Sequence, residues 1–430
     1  MTVYAIFFFL LTLGVMILGI PVAVVMGISG IIGGCLLWGT PFLSSVGNMV
    51  WGVQTSEFLT AIPLFILMGE ILLRTGVADT MYAALAVWTN GIPGRLLHTN
   101  IGSCAMFAAT TGSSPATAAA VGTVASKALT QRGYPAPISL GSLAAGATLG
   151  ILIPPSVAMI VYGSLTTNSI GKLFAAGIIP GILLTGGFML YIFLHSLITG
   201  EGKADRTYTW KERFAVLPDL LPPMLIFGLV MGSIYLGWAT PVESASLGVI
   251  MALLIAGVLG RLNRDVMFTC FINTAQLAGM ILLIIAAAYI LNMLLTLMGI
   301  ANFMTDFVAS LDLSFPLFIA ALVIFYIILG MFMDVLSMQV ATIPIVYPMA
   351  MAMEADPIWL GIFIVIMSEL AMITPPVGMN LFVIQAVRAD EGTIKDVIKG
   401  VIPFGLIMLG MVVLLVLFPQ IATWLPQHIQ

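Results

Sequence analysis

The chain has 430 residues, 61% of them hydrophobic and 7% charged, with a mean hydropathy of +1.16 and a formal net charge of −4. A soluble domain carries roughly 25% charged residues, so the composition excludes one and specifies a polytopic membrane protein with nothing to attract nucleic acid. At about 20 residues per span, the length holds about ten to twelve membrane segments.

The first apolar run, 3–20, has neither a basic stretch before it nor a compelling small-residue cleavage pattern, and reads as a span retained in the mature protein. Apolar segments follow at 22–39, 58–73, 77–92, 101–126, 138–166 and 173–199. A hydrophilic interval, 200–217, carries Glu201, Lys203, Asp205, Arg206, Lys211, Glu212 and Arg213 and marks the midpoint. Beyond it lie 220–238, 242–260, 267–299, 303–311, 315–353, 357–387 and 400–425. Two segments are interrupted, one by Ile153-Pro154-Pro155 and the other by Thr374-Pro375-Pro376. Hydrocarbon cannot satisfy backbone groups that proline sets free, so each broken span must face protein, an ion or a wet cavity.

Landmarks recur at a nearly constant offset. Ile20-Pro21-Val22 is answered by Thr240-Pro241-Val242 at 220 residues and Pro154-Pro155 by Pro375-Pro376 at 221. Gly91-Ile92-Pro93 is answered by Ser314-Phe315-Pro316, and Lys172 with Gly177-Ile178-Ile179-Pro180 by Lys395 with Gly400-Val401-Ile402-Pro403, both at 223. The expected organisation is two homologous halves joined by a cytoplasmic linker, 200–217. The first, 1–199, holds scaffold spans to 92, a hairpin and broken helix over 93–170 and a further span over 171–199. The second, 218–430, holds scaffold spans to 311, a hairpin and broken helix over 312–390 and a final span over 391–430.

Basic residues mark the cytoplasmic side of a membrane protein. With the midpoint inside, Arg74, Arg95, Lys127, Arg132, Arg261, Arg264, Arg388, Lys395 and Lys399 also fall inside and the N-terminus outside; of 14 basic residues only Lys172 is misplaced. That holds only if 101–126 and 315–353 enter and leave by one face, as re-entrant helical hairpins. Each half then has about five true crossings, and an odd number sets the two halves in opposite orientation. The expected fold is therefore an all-α polytopic membrane protein of two inverted repeats, each with a re-entrant hairpin and a discontinuous helix, as in secondary transporters.

The first hairpin centres on Ala109-Thr110-Thr111-Gly112-Ser113-Ser114-Pro115-Ala116-Thr117, a small, hydroxyl-rich run that makes a poor helix and a good turn. Plain small-residue helix packing is the bland alternative. As a loop tip, with Thr111 and Ser114, it would meet the 150–155 break and enclose a hard cation such as sodium, which takes oxygen ligands. Gly150, Ile153 and Pro155 are the expected carbonyl donors. By the repeat, Ala371, Thr374 and Pro376 would serve a second cation with the second tip, Gly330-Met331-Phe332-Met333-Asp334. Asp334 is a carboxylate in an apolar stretch and functional by default, suited to a cation, a substrate hydroxyl or a proton; capping of a helix at the interface is its alternative.

Glu369, directly before the second break, is explained nearly as well by a helix end as by the site. Glu243 suits a helix start after Pro241, and Glu70 is spaced to pair with Arg74 at i,i+4. No Lys or Arg lies near the expected mid-membrane cavity, so an anionic solute would be held by helix N-termini, amides, hydroxyls and bound cations. Ser113, Ser114, Ser156, Thr374 and Asn380, with Asp334, are the candidate groups. Cys35, Cys104 and Cys270 have no metal-like spacing and read as buried thiols. His98, His195 and His428 sit near segment ends and are expected at interfaces, and the 28 methionines read as apolar filler.

The run TTGSSPATAAAVG, the break LGILIPPS, its counterpart MITPPVGMN and the stretch GMFMD together resemble the large membrane subunit (the DctM or SiaM type of M subunit) of tripartite ATP-independent periplasmic (TRAP) transporters. The resemblance covers essentially the full length. It implies an elevator-type, sodium-coupled importer in a bacterial inner membrane that works with a smaller four-helix subunit, expected here as a separate polypeptide. It also implies a soluble periplasmic binding protein that delivers a carboxylate-bearing solute. One sodium would lie at the first tip with Gly150, Ile153 and Pro155, another at the second with Thr374 and its neighbours. Four-carbon dicarboxylates, sialic acids and other organic acids are substrates in that family, and no residue here chooses among them.

Three readings compete. One is an organic-anion transporter coupled to protons or another ion and lacking a binding protein; another is a channel, which would lack stoichiometric coupling. The third, an intramembrane protease on Asp334 and Glu369, needs two carboxylates sharing a proton and leaves the paired breaks without a purpose. The chain is read as a transporter and not an enzyme.

Overall fold

The computed structural model describes residues 8, 11–12, 14–16, 19–200 and 207–429. The expected span 3–20 therefore lies largely outside the described residues, as do the linker charges Glu201, Lys203, Asp205 and Arg206. One series of elements runs twice. The first pass is α1 (Val22–Trp38), α2 (Pro41–Gln54), α3 (Glu57–Arg74), α4 (Val77–Thr89), the pair α5 (Leu96–Thr111) and α6 (Ser114–Gln131), the interrupted pair α7 (Ala136–Leu152) and α8 (Val157–Thr166), and α9 (Ile170–Thr199). Then come α10 (Trp210–Ala215), the tight turn Leu217–Leu220 and α11 (Leu221–Tyr235). The second pass is α12 (Pro241–Val258), α13 (Arg264–Leu297), α14 (Ile300–Ser310), the pair α15 (Phe315–Gly330) and α16 (Val335–Ala352), the interrupted pair α17 (Pro357–Met372) and α18 (Met379–Ala386), and α19 (Ile394–Leu417), closed by α20 (Gln420–Gln427).

Three features were not anticipated. Helix α2 mixes Ser44, Ser45, Asn48 and Gln54 among its apolar residues, and it meets α3 at a 52° bend where the second pass has the single 34-residue α13. Helix α10 forms inside the polar interval because Thr209 and Glu212 cap its first turn reciprocally. The last segment divides at Phe418-Pro419 into α19 and α20. Among the described residues, seven helical stretches are long and apolar enough to cross a membrane, or eight if α2 and α3 form one span. The number falls below the expected ten to twelve partly because α1, α15 and α17 are only 16–17 residues long. The chain is a multi-pass membrane protein.

Packing crosses the halves. Helix α1 lies along α13, where a Cβ on Gly30 would come within 2.8 Å of Ile290 Cγ2; small residues permit such close approach. Helix α3 packs on α12 and α13. Glu70 pairs with Arg74 (3.2 Å) and accepts from the Asn273 amide (2.9 Å), and Arg261 donates to the Thr75 carbonyl. A second bundle joins both hairpins, both interrupted helices, α9 and α19. Its most extensive contact is α7 on α19, where Gly141 and Gly400 meet backbone to backbone. Helix α8 packs on α16 and α18 on α6, so the second arm of each interrupted helix lies against the other half's hairpin.

The hairpin bases sit at opposite ends of α19. Near its start, Ser126 of α6 accepts from the Ala389 N–H (2.9 Å), and Arg388 bonds to Asp390 (2.7 Å) and Asp396 (2.8 Å). At its far end the Trp359 indole donates to the Leu415 carbonyl (2.9 Å), and Phe315, the first residue of α15, packs on Trp359 at 5.6 Å. A helix of 24 residues is about 36 Å long, close to the ~30 Å of a hydrocarbon core.

Candidate functional site

In an α-helix the carbonyl of residue i accepts from the N–H of residue i+4. Proline has no N–H, so Pro154 and Pro155 deprive Gly150 and Ile151 of helical donors, and Pro375 and Pro376 do the same to Ala371 and Met372. Both Pro–Pro bonds are cis. After the Ile153 N–H donates to Leu149 (3.0 Å), the chain turns extended at Ile153. At the second break the Thr374 N–H returns to the Ala371 carbonyl (3.1 Å). Helices α7 and α17 thus both end in carbonyl-rich C-termini, the negative pole of the helix dipole.

The first hairpin tip seats on the first break. Gly112 takes a left-handed conformation (φ 60°), and a Cβ there would lie 2.7 Å from the Pro155 carbonyl oxygen. A Cβ on Gly150 would lie 2.7 Å from Ser114 Cα, so neither glycine can be enlarged without moving backbone. Half-buried Ser113 caps α6 by backbone, its carbonyl accepting from the Thr117 N–H (3.0 Å) and also from the Thr117 hydroxyl (2.9 Å). The Thr111 hydroxyl shares a hydrogen bond with Thr117 (3.0 Å), and Ser156 caps α8 by accepting from the Met159 N–H (3.3 Å). Ser114 donates to Glu369 Oε1 at 2.5 Å, and the Ile151 N–H donates to the same oxygen at 3.0 Å. Glu369 is 1% exposed, and its Oε2 has no partner.

The second tip seats on the second break through Gly330, where a Cβ would come within 3.0 Å of Ala371 Cα. Asp334, half-buried, caps α16 by accepting from the Ser337 N–H (3.2 Å). Thr374 donates to the Leu370 carbonyl of its own helix (2.7 Å), and Pro376 is exposed. Asn380 is fully buried with neither amide atom bonded. Gly122 faces Ile384, which sets α6 and α18 side by side and brings Asn380 level with residues 117–118.

The first tip therefore meets the first break through Gly112 and Ser114 against Pro155 and Gly150, and the second through Gly330 against Ala371; Thr111, Ser113, Ile153 and Ser156 flank the first junction in the chain, and Asp334 and Thr374 the second. Two polar groups escaped the sequence reading: Gln339 is fully buried in α16 with no partner for its amide, and the buried Ser337 hydroxyl is also unpaired. An amide within an apolar hairpin carries the same desolvation signal as Asp334 and was legible on that ground. Glu369 does not cap its own helix; it reaches into the first half. Glu243 forms a reciprocal cap with Thr240 (2.8 and 3.3 Å), the helix-start role expected of it. His98, expected at an interface, is buried beside the Pro93 carbonyl (2.8 Å).

A family model described as tripartite ATP-independent periplasmic transporter, DctM component, matches residues 8–421. The chain is 31% identical to the C4-dicarboxylate TRAP transporter large permease protein DctM of Vibrio cholerae, over 97% of this chain and 96% of that one. It is 32% identical to the sialic acid TRAP transporter permease protein SiaT of Haemophilus influenzae, over 86% of this chain and 59% of that one. Among solved structures the fold is similar to that of the YdaH transporter of Alcanivorax borkumensis, with a TM-score of 0.59 and 99% of each chain covered at 16% identity. The relatives are transporter permeases, which sets the intramembrane-enzyme reading aside. With its two broken helices and two seated hairpin tips inside a match of this extent, the chain belongs to the TRAP transporter family as a large permease component.

Proposed function

We propose that this chain imports a carboxylate-bearing solute, of the sialic acid or four-carbon dicarboxylate kind, across a bacterial inner membrane in symport with sodium. A periplasmic binding protein delivers the solute, and a small four-helix membrane subunit completes the transporter; family membership implies both partners. The observation that carries the reading is that each hairpin tip seats on a helix end from which two prolines remove the i+4 helical N–H donors. Such carbonyl-rich ends suit hard cations. One sodium is assigned to Gly150, Ile153 and Pro155 with Thr111 and Ser114, and the second to Ala371, Thr374 and Pro376 with Gly330 and Asp334. The solute is assigned to Ser113, Ser114, Ser156, Asp334, Thr374 and Asn380; the unbonded, buried amide of Asn380 supports its place there.

Opposed hairpin bases support the inverted-repeat reading. The two bundles support an elevator, in which the hairpins, interrupted helices, α9 and α19 slide against α1–α3 and α11–α13. Arg74 and Arg261 lie at one end of α3. This pair of cations favours that end as cytoplasmic and a periplasmic N-terminus. The test is uptake of labelled carboxylates by proteoliposomes holding both membrane subunits and the cognate binding protein. Uptake is expected only with an inward sodium gradient; equal uptake with choline in place of sodium overturns the coupling.

A further inference from the structure

Each junction holds one carboxylate, Asp334 at the second tip and Glu369 at the first, and Glu369 reaches its junction from the other half. Glu369 belongs to α17 of the second half, yet both its hydrogen bonds go to the first: the Ser114 hydroxyl (2.5 Å) and the Ile151 N–H (3.0 Å), each on Oε1. It is 1% exposed, Oε2 is unbonded, and among the described residues no basic side chain pairs with it. A carboxylate so enclosed is strongly disfavoured unless a positive charge is close. The N–H it holds belongs to the planar Gly150–Ile151 peptide, whose carbonyl oxygen points the opposite way. That carbonyl is the one left without its helical donor by Pro154. A negative charge on the N–H side polarises the peptide and makes the oxygen beyond it a stronger ligand. At the repeat offset of 221 the counterpart of Glu369 is Thr148, whose hydroxyl turns back to Ala145 of its own helix (2.6 Å).

We propose that Glu369 is a positioning residue for the first cation: it fixes Ser114 and the Gly150 peptide, and its charge strengthens the first site alone. The proposal rests on the cation-coupled reading above.

The experiment is sodium titration of the purified full chain in detergent, followed by calorimetry and thermal shift with choline as the control ion, for the native chain and Glu369→Gln. Glutamine keeps the volume and an amide oxygen for Ser114 and Ile151, so a purely structural pin leaves sodium binding unchanged. The expected result is two affinities in the native chain, with one weakened roughly tenfold or more in the variant and the other unmoved. Two unaltered affinities, or equal weakening of both, overturn the proposal and leave sodium coupling standing. Absence of any sodium-specific response in the native chain overturns both. If Glu369→Gln does not yield monodisperse protein, Glu369→Asp, which withdraws the charge by one methylene, is titrated instead. Selective weakening of one site then supports the proposal, and unchanged affinities overturn it.

Discussion

Asp334 sits where two roles meet, and a single substitution separates them. Its carboxylate caps α16 through the Ser337 N–H, a task asparagine performs about as well. Asp334→Asn is therefore expected to shift stability by less than about 0.5 kcal/mol, read from the melting temperature. Sodium-dependent uptake is expected to fall about tenfold or more, about 1.4 kcal/mol in the barrier, if the charge serves the second cation or the solute. Full uptake in this variant would assign the residue to capping alone. The same logic of desolvation marks Asn380 and Gln339, since an unpaired buried amide costs about 1–3 kcal/mol and persists most readily where a ligand completes it.

At the scale of elements, the loop between α18 and α19 ties the first hairpin's base to the second half. Ala389 donates to Ser126, while Arg388 clasps Asp390 and Asp396. The guanidinium beside Asp390 holds that carboxyl below its ordinary value. A depressed carboxylate contributes stability above its unfolded pKa and loses it as pH falls through the folded value. The native chain is thus expected to melt above Asp390→Asn near neutral pH, with the gap closing only below the ordinary aspartate range of about 3.9. Thermal melts of both chains from neutral to acid pH check this, and a gap that ignores pH would remove the ion pair from the account.

At the scale of the whole molecule, the two bundles make motion testable. A Cβ on Gly27 would lie 3.6 Å from Ala287 Cβ, within the bundle of α1 and α13, whereas one on Gly171 of α9 would lie 3.3 Å from Ile234 Cγ2 of α11, across the divide. The first is the Cβ–Cβ spacing of a disulfide, and at the second Cγ2 stands where a cysteine sulfur would be. With Cys35, Cys104 and Cys270 replaced, oxidation of Gly171→Cys/Ile234→Cys is expected to abolish uptake reversibly, while the Gly27→Cys/Ala287→Cys bridge leaves it intact. Uptake that survives the first bridge would rule out sliding between these bundles.

Sequence alone determined what depends on local chemistry. Pro154-Pro155 and Pro375-Pro376 each remove two consecutive N–H donors from the middle of an apolar run and break the helix there, and the small hydroxyl-rich run at 109–117 turns at Gly112-Ser113. The offset near 221 located the counterpart of each break, and the apolar content settled the membrane. Helix α2 escaped because its serines and asparagine dilute the apolar signal that marks a span, although its Pro41 start was in plain view. Tertiary structure decided what no local signal carries. Ser114 and Glu369 are 255 residues apart, and nothing in either neighbourhood announces their contact. Nor does periodicity tell which hairpin α8 and α18 lie against. Those pairings follow from how two similar halves bury their apolar faces together, and burial of Glu369 at that junction is the result of packing both halves at once.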